Sequence, residues 1–197
     1  MGNERFCAPS GLGCCPILTC INSQSGPMQK PPPHPQEQDR LEALARLAIL
    51  DTGPEDSYDR LVLLASQVCD APIALISLVD ADRLWFKARV GLNVCEVNRD
   101  DGFCSFAIHT PDDVTVVPDM QLDARFADHP LVIGPPHIRF YAGAPLVVDG
   151  LPMGTLCVND LQPRSLEAWQ VQSLRLLAKR VVRLLEDKPP TDGRHDV

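Results

Sequence analysis

The sequence lacks three features that would assign it at once to a common class of protein. It has no cluster of Lys or Arg, and 26 acidic against 18 basic side chains give a formal net charge of −8 at pH 7. That balance argues against a nucleic-acid-binding surface. No apolar stretch approaches the roughly 20 residues of a transmembrane helix, so we expect a soluble, cytoplasmic protein with no membrane partner. No two cysteines are separated by two residues, and we predict no metal site.

Eight cysteines are present, but their distribution is not that of a disulfide framework. Half of them lie within the first 20 residues, and the others are scattered singly through apolar segments: Cys69, Cys95, Cys104 and Cys157. A secreted disulfide scaffold would be shorter and richer in loops than this chain. Buried free cysteine packs as a small hydrophobic residue, which is our interpretation of Cys69 and Cys157.

Proline is concentrated in residues 1–36, where glycine and serine accompany it. That density leaves no helical or strand periodicity, so we predict a disordered tail. Two lipid-anchor interpretations fit less well. Myristoylation at Gly2 requires Ser or Thr where Phe6 stands, and a lipoprotein site at Cys20 requires an unbroken apolar stretch before it. The cysteines of this tail would also suit a soft metal ion, but their spacing is not paired.

The rest of the chain is predicted to form one domain over residues 37–187, followed by a short disordered tail over 188–197. Helices are predicted over residues 36–50, 52–69 and 166–186. Strands are predicted over residues 73–79, 84–90 and 114–117 and in a hairpin over 137–160. This order indicates an α+β fold, in which helices gather beside an antiparallel sheet.

Two of the predicted strands differ in their hydrophobic pattern. Residues 73–79 are nearly all apolar, which is typical of a strand covered on both faces. Residues 84–90 alternate instead, with Trp85, Lys87 and Arg89 on one side. Alternation of this kind predicts a strand with one face in water.

The dipeptide Asp-Gly at 149–150 separates two apolar runs and supplies the positive φ angles of a two-residue hairpin turn. If Val148 pairs with Leu151, the register is fixed outward from the turn. One face then carries Phe140, Ala142, Ala144 and Leu146 with Met153, Thr155, Cys157 and Asn159. The other face carries Arg139, Tyr141, Gly143 and Pro145 with Gly154, Leu156, Val158 and Asp160. This register predicts a cross-strand ion pair between Arg139 and Asp160.

Two connections, residues 91–113 and 118–136, exceed ordinary loop lengths, and loops of this length are usually functional. Single helical turns are expected near residues 103–108 and 124–131. We expect both connections to fold over the sheet and to cover a pocket.

A series of phrases, in this order along residues 36–187, resembles GAF domains. The phrases are 50–55 (LDTGPE), 72–80 (PIALISLVD), 85–88 (WFKA), 103–108 (FCSFAI), 119–126 (DMQLDARF), 138–146 (IRFYAGAPL) and 154–160 (GTLCVND). They are most similar to the sensory GAF domains that precede diguanylate cyclase or histidine kinase modules in bacteria. The resemblance implies a GAF fold: a central antiparallel sheet, flanking helices, a small molecule bound beneath the loops, and a signal passed through the terminal helices.

The chain departs from the family pattern in ways that bear on function. Phe106 stands where His is frequent, which makes the pocket less polar. No motif for covalent bilin attachment, as in phytochromes, is present. No cyclase, kinase or helix-turn-helix module follows the last helix, so we expect a stand-alone, non-catalytic module that acts on a separate output protein.

The terminal helices of this family pair with a second copy, so the resemblance also implies a homodimer. The alternative is simple packing of the last helix, residues 166–186, on the domain's own sheet.

The resemblance places the ligand between the sheet and the long connections. The residues that we predict to contact it are Phe103, Cys104, Phe106, Asp119, Asp123, Arg125, Phe126, Arg139 and Tyr141. Guanidinium groups bind carboxylates and phosphates, so Arg125 and Arg139 are candidates for an anionic ligand, although pairing of Arg139 with Asp160 is favoured. The two aspartates would equally cap turns. The sequence selects no ligand or cofactor, and cyclic nucleotide, amino acid, haem and gas sensing all stay open.

Two other functional interpretations stay open. Free methionine sulfoxide reductases with a GAF fold suggest a thiol oxidoreductase in which Cys104 and Cys95 form a redox pair. Alternatively, the protein's own side chains fill the pocket, and the candidates are Phe103, Phe106, Phe126 and Phe140. The histidines among the aspartates of the long connections lack ligand spacing, so we interpret them as solvated loop residues. They are His109, His129 and His137.

Overall fold

A computed structural model describes residues 29–187 of the chain. Its helices are α1 (Glu37–Arg46), α2 (Asp56–Cys69), α3 (Cys104–Ala107), α4 (Pro130–Ile133) and α5 (Ala168–Glu186). Its strands are β1 (Ile73–Val79), β2 (Arg83–Val90), β3 (Glu96–Asn98), β4 (Thr115–Val117), β5 (Phe140–Val148) and β6 (Leu151–Asp160). Short 3-10 turns cover Arg99–Asp101 and Met120–Leu122.

The strands form one six-stranded antiparallel sheet in the order β3-β2-β1-β6-β5-β4. One face, which we call the helix-side face, packs through a hydrophobic core against α1, α2 and α5. The other, the loop-side face, packs through a second core against α3, α4 and the long connections. The predicted α+β class is therefore confirmed, with helices and connections on opposite sides of the sheet.

β1 is covered on both faces, as its apolar sequence predicts, and all its residues are buried. Ala74, Ile76 and Leu78 belong to the helix-side core, whereas Ile73 and Leu75 belong to the loop-side core. The strand therefore lies at the centre of the sheet and separates the two cores.

The prediction that β2 has one face in water is wrong. Trp85 is only 7 % exposed and Lys87 only 3 %, because α2 packs against this strand. The pairing of β2 with β1 shifts between Ile76 and Ser77. The register therefore passes from Phe86 directly to Ala88, and this bulge interrupts the simple alternation that the sequence suggests.

Lys87 is buried because polar groups surround its ammonium. Its Nζ donates to the Thr52 hydroxyl at 2.8 Å, to the Gly53 carbonyl at 2.7 Å and to the Glu55 carboxylate at 2.6 Å. A buried charge is tolerated when it is paired and hydrogen-bonded in this way. The segment between α1 and α2 is thereby fixed against the helix-side face.

The hairpin turn lies where the sequence predicts it. The residues at 149–150 have φ angles of 50° and 78°, and Val148 pairs with Leu151. Further from the turn, the register shifts because Met153 is an extra residue on β6. Such a bulge is not encoded in the period of two that strands follow.

The bulge makes the predicted faces of the hairpin wrong. Leu156 and Val158 join Ala142 in the helix-side core, whereas Cys157 joins Tyr141 in the loop-side core. Every β6 residue beyond the bulge therefore shares a face with the opposite set of β5 residues.

The predicted ion pair between Arg139 and Asp160 is wrong for the same reason. The residue paired with Asp160 across the strands is Phe140. The Asp160 carboxylate accepts instead from Arg164, and the guanidinium of Arg139 binds Asp119.

Short elements are located less well by the sequence than long ones. The strand expected over 114–117 is β4, and the helical turn expected over 103–108 is α3. The turn expected over 124–131 corresponds to the hydrogen-bonded turn at 124–128 and the start of α4, and β3 was not predicted. A three-residue strand contains too few residues to show a period.

Residues 29–36 have no helix or strand but contact the domain. Lys30 pairs with Asp100 at 2.7 Å, and Nε2 of His109 lies 3.0 Å from the Pro32 carbonyl oxygen. The predictions for residues 1–28 and 188–197 lie outside the described residues. Within the described range 29–187, no helix is both long and apolar enough to cross a lipid bilayer.

Candidate functional site

A cavity of about 70 Å³ lies between the loop-side face of the sheet and the connections above it. The sheet strands β1, β2, β5 and β6 contribute Ile73, Leu75, Leu84, Phe86, Tyr141, Cys157 and Asn159. The edge strand β3 contributes Val97, and the covering segments contribute Leu92, Val94, Asp101, Gly102, Phe103, Cys104, Leu131, Pro136 and Ile138. One water needs roughly 10–15 Å³, so the cavity has room for a molecule of a few heavy atoms. The expectation that both long connections cover a pocket is confirmed.

Few polar side chains line this mostly apolar cavity. Asp101 lies on the covering side, where burial raises the pKa of its carboxyl and the neighbouring Asp100 raises it further. Asn159 lies on the sheet side, is 5 % exposed, and contacts the sulfur of Cys157 at 4.0 Å. An apolar chamber with a small number of polar groups is typical of small-molecule sites.

Phe103 forms the aromatic end of the cavity. Its ring centroid lies 5.5 Å from that of Phe126, 5.8 Å from that of Tyr141 and 4.7 Å from that of His129. Offset and edge-to-face contacts of this kind hold rings in fixed orientations. The predicted contact residues Phe103, Cys104 and Tyr141 therefore line the cavity on well-packed elements.

The other three phenylalanines that were candidates for the pocket, Phe106, Phe126 and Phe140, do not line the cavity. Phe106 packs edge-on against Phe126 at 5.0 Å, and neither of them lines the cavity. Phe140 lies in the helix-side core, so it does not fill the cavity. Self-filling by four phenylalanines is therefore wrong for Phe140, because its face of β5, shared with Ala142 and Ala144, packs against the helices.

The charged residues predicted to bind a ligand form two ion pairs away from the cavity lining. Arg139 binds both oxygens of Asp119 at 2.9 and 2.6 Å, and Arg125 binds both oxygens of Asp123 at 2.9 and 2.6 Å. These hydrogen bonds lower the pKa values of both carboxyls. Each aspartate also accepts a backbone N–H two residues further on, which confirms that both cap turns.

Two thiols meet at the boundary between the cavity and the sheet. The sulfur of Cys104 on α3 lies 3.7 Å from that of Cys157 on β6. The hydroxyl of Tyr141 donates to the Cys104 sulfur, also at 3.7 Å. Cys104 is free and Cys95 is disulfide-bonded, so these two are not bonded to each other. The thiol in contact with Cys104 is Cys157.

The hydrogen bond from Cys157 is the main cause that lowers the pKa of Cys104, and it opposes the effect of burial. The same contact raises the pKa of Cys157. Two adjacent thiols lose their first proton more readily and their second less readily, because the remaining S–H stabilises the first thiolate.

His129 is not a solvated loop residue, which corrects our interpretation. It is 1 % exposed, and its Nδ1 accepts the backbone N–H of Leu131 at the start of α4. Burial lowers its pKa to about 4. Among the described residues, no three His, Cys, Asp or Glu side chains are grouped so as to hold a metal ion.

The sequence analysis missed three polar residues of the cavity: Asp101, Cys157 and Asn159. The alternation of Thr155, Cys157 and Asn159 on one face of a buried strand was a usable signal. Polar residues at every second position rarely face a hydrophobic core without a reason. Asp101 lies in a connection, where no sequence period indicates which side chains point inward.

Comparison with known proteins assigns the domain. Residues 53–186 match the family described as GAF domain. The chain is 40 % identical over 157 residues to a cyclic di-GMP phosphodiesterase of Pseudomonas aeruginosa, a match that covers 79 % of this chain. The chain spans only 25 % of that relative's length.

Solved GAF structures share the fold at low sequence identity. The GAF domain of the Acinetobacter phosphoenolpyruvate-protein phosphotransferase superimposes with a TM-score of 0.56 at 19 % identity, covering 78 % of this chain and 94 % of that one. The PixJ GAF domain of Thermosynechococcus elongatus gives 0.55 at 17 %, covering 74 % and 87 %. These likenesses concern the fold alone.

Proposed function

This chain belongs to the GAF domain family, and on that premise we propose that it is a sensory module that binds a small molecule and catalyses no reaction. The observation that carries the proposal is the cavity beneath the two long connections. Its apolar walls and its few polar groups suit a ligand that is mostly apolar and carries one or two hydrogen-bonding groups.

Two side chains are suited to orient such a ligand. Asp101 on the covering side and Asn159 on the sheet side both line the cavity. A carboxyl group whose pKa is raised by burial accepts or donates a hydrogen bond depending on its protonation. An amide does both at once, so together they favour a polar, uncharged group over a phosphate.

The sheet offers a direct route from the cavity to the helices. On β6, Cys157 and Asn159 line the cavity, whereas Leu156 and Val158, which alternate with them, lie in the helix-side core. α5 packs against both strands of the hairpin. A ligand that shifts β6 would therefore change the contacts of α5, because packed cores transmit displacement.

We further propose that α5 passes the signal to a second copy of the chain. Trp169 is 60 % exposed and Leu176 is 56 % exposed. They lie seven residues apart and therefore on one face of the helix. α5 packs on its own sheet with its other face. Leu63 and Leu64 of α2, a helix in contact with α5, are each 44 % exposed.

The relative from Pseudomonas aeruginosa suggests a class of output. That protein is named a cyclic di-GMP phosphodiesterase, and this chain resembles a quarter of it. We propose that the module regulates an enzyme of cyclic dinucleotide turnover, with which it interacts as a separate protein or as part of the same protein.

Native mass spectrometry of the full chain, purified from its host under mild conditions, tests ligand binding. We expect an adduct that is lost when Val94 is replaced by Phe, because Val94 lines the cavity and the larger ring would fill it. Val114→Phe is the matched control, since this half-buried valine packs against the helix-side core instead. If the wild-type chain carries no adduct and no small molecule raises its melting temperature, the sensory proposal is overturned.

A further inference from the structure

We propose that Cys104 and Cys157 form an oxidisable dithiol pair at the cavity, which hydrogen peroxide or a small organic hydroperoxide converts to a reversible disulfide. The proposal depends on the geometry of the two thiols and not on the identity of the sensed ligand. It differs from a pairing of Cys104 with Cys95, which is itself disulfide-bonded.

The two sulfur atoms already stand in contact. They are 3.7 Å apart, and a disulfide needs about 2.05 Å, so a movement of about 2 Å closes the bond. Cys104 lies on the four-residue helix α3, which is held by loops on both sides. Such a short element adjusts more easily than the central strand that carries Cys157.

Hydroxyl groups surround the pair on the loop-side face. Tyr141 donates to the Cys104 sulfur. Ser77 on β1 is paired in register with Thr155 on β6, and both hydroxyls are buried without a hydrogen-bond partner of their own. The hydroxyls of Ser77 and Thr155 favour the ionised form of Cys104 and so help to lower the pKa of its thiol. Buried hydroxyls without partners are rare in folded proteins, and a thiolate gives them an acceptor.

The position of Tyr141 depends on a residue without a side chain. Gly143 is paired with Cys157 across the hairpin. A Cβ at Gly143 would lie 2.2 Å from the Tyr141 hydroxyl oxygen. The absence of that carbon lets the phenol lie along the strand and reach the thiol pair.

The reaction balances without any further component. The Cys104 thiolate attacks one peroxide oxygen, the O–O bond breaks, and a sulfenic acid and hydroxide are formed, the latter leaving as water. The Cys157 thiol then attacks the oxidised sulfur, the S–O bond breaks, and a second water leaves as the disulfide forms. With hydrogen peroxide, two thiols yield one disulfide and two waters, and the first water takes the proton that Cys104 loses on ionisation; with an organic hydroperoxide, the corresponding alcohol leaves in place of the first water. The peroxide takes the two electrons.

The cavity gives the oxidant access to thiols that are otherwise buried. Cys104 is 4 % exposed and Cys157 fully buried, but both line the cavity, which has room for a peroxide molecule. Cys69 is a natural comparison within the chain. It is free and buried, lies in the helix-side core, and burial raises its pKa to about 11.

Peptide mapping by mass spectrometry tests the proposal on the full chain. The protein is first reduced and then titrated with hydrogen peroxide; the remaining thiols are alkylated before digestion. We expect a linked peptide pair containing Cys104 and Cys157, which disappears on treatment with dithiothreitol, while Cys69 stays alkylated. Continued alkylation of Cys104 and Cys157 under peroxide that oxidises other cysteines would overturn the proposal. A bond from Cys104 to another cysteine, or its over-oxidation without a bond to Cys157, would overturn it as well.

Two variants test whether Cys104 and Cys157 react with each other or only pack together in the fold. In Cys157→Ala, we expect Cys104 to be trapped as a sulfenic acid, detected as a dimedone adduct at least tenfold more abundant than in wild type. In Cys69→Ser, we expect the linked pair to form as in wild type. If Cys157→Ala does not fold, the wild-type map alone decides the question. Peptide mapping of the oxidised chain does not require a bound ligand. Its outcome is therefore independent of the test of ligand binding by native mass spectrometry.

Discussion

Gly154 on β6 lies directly against the backbone of Ser77 on β1. A Cβ at Gly154 would be 2.0 Å from the Ser77 carbonyl oxygen and 2.9 Å from the Cα of Leu78. Both atoms belong to the backbone of a central strand and cannot rotate away as a flexible side chain would. The absence of a side chain at residue 154 therefore sets how closely β1 and β6 approach beneath the thiol pair.

Replacement of Gly154 by Ala should destabilise the domain by about 1–3 kcal/mol, the usual cost of forcing an extra carbon into a packed site. Gly53→Ala is the matched control, because nothing lies within 4 Å of its Cβ position, and a change below about 0.5 kcal/mol is expected there. Urea denaturation gives both values. Equal stability of the two variants would contradict the close approach of the strands.

The burial of His129 should make stability depend on pH. Its pKa is about 4 in the folded chain against an ordinary value of 6.5, so the unfolded chain binds the proton more tightly. The contribution is fully present above about pH 6.5 and is lost as the pH falls towards 4, by up to ~1.4 kcal/mol per pH unit. Urea titrations at a series of pH values between 7 and 4 measure this slope.

Asn is the informative replacement for His129, because its side-chain oxygen still accepts the Leu131 N–H at the helix start. We expect His129→Asn to flatten the pH dependence between 6.5 and 4. A slope that persists in His129→Asn would assign the titration to another group.

Removal of the charge on Glu55 should lower the free energy of unfolding, because the buried ammonium of Lys87 then lacks a carboxylate partner. In Glu55→Gln, the ammonium keeps the Thr52 and Gly53 oxygens but loses its carboxylate, which we expect to cost about 1–2 kcal/mol. This is below the 3–5 kcal/mol typical of fully buried pairs, because the Glu55 side chain is 39 % exposed.

The control for that measurement is the exposed pair of Arg60 with Asp56, at 3.6 Å. Arg60→Gln should change the free energy of unfolding by less than about 0.5 kcal/mol, since both side chains are in water. A loss of stability in the Arg60 variant that matches Glu55→Gln would show that burial is not the cause.

Charged substitutions on the outer face of α5 should dissociate the proposed dimer. We expect Trp169→Lys and Leu176→Lys to convert a dimer to a monomer in sedimentation velocity at micromolar concentration. Leu122→Lys is the control, since Leu122 is 85 % exposed on a connection and lies outside the helices. A monomeric wild-type chain at the same concentration would rule out the dimer.

The sequence predicted the long elements because their patterns are long enough to show a period. The apolar run of β1, the turn at 149–150 and the leucine spacing of α5 each follow from local rules. The fold class followed from their order. The length of the two connections supplied the expectation of a covered pocket, and the family resemblance then placed a ligand in it.

The errors about which strand residues share a face have one physical origin. Lys87 and Met153 each add a residue to a strand, and each bulge changes which side chains share a face. Nothing local in the sequence marks these positions, because a bulge is decided by how two strands fit together. The predicted pairing of Arg139 with Asp160 failed for this reason.

The short stretch preceding α1 has a practical consequence for how this protein is produced. Lys30 and Pro32 contact Asp100 and His109, which lie beside the segment that covers the cavity. A fusion partner joined directly at residue 29 would consequently start beside that covering segment. A purification handle placed after α5 starts on the far side of the sheet, so affinity measurements are best made with that arrangement.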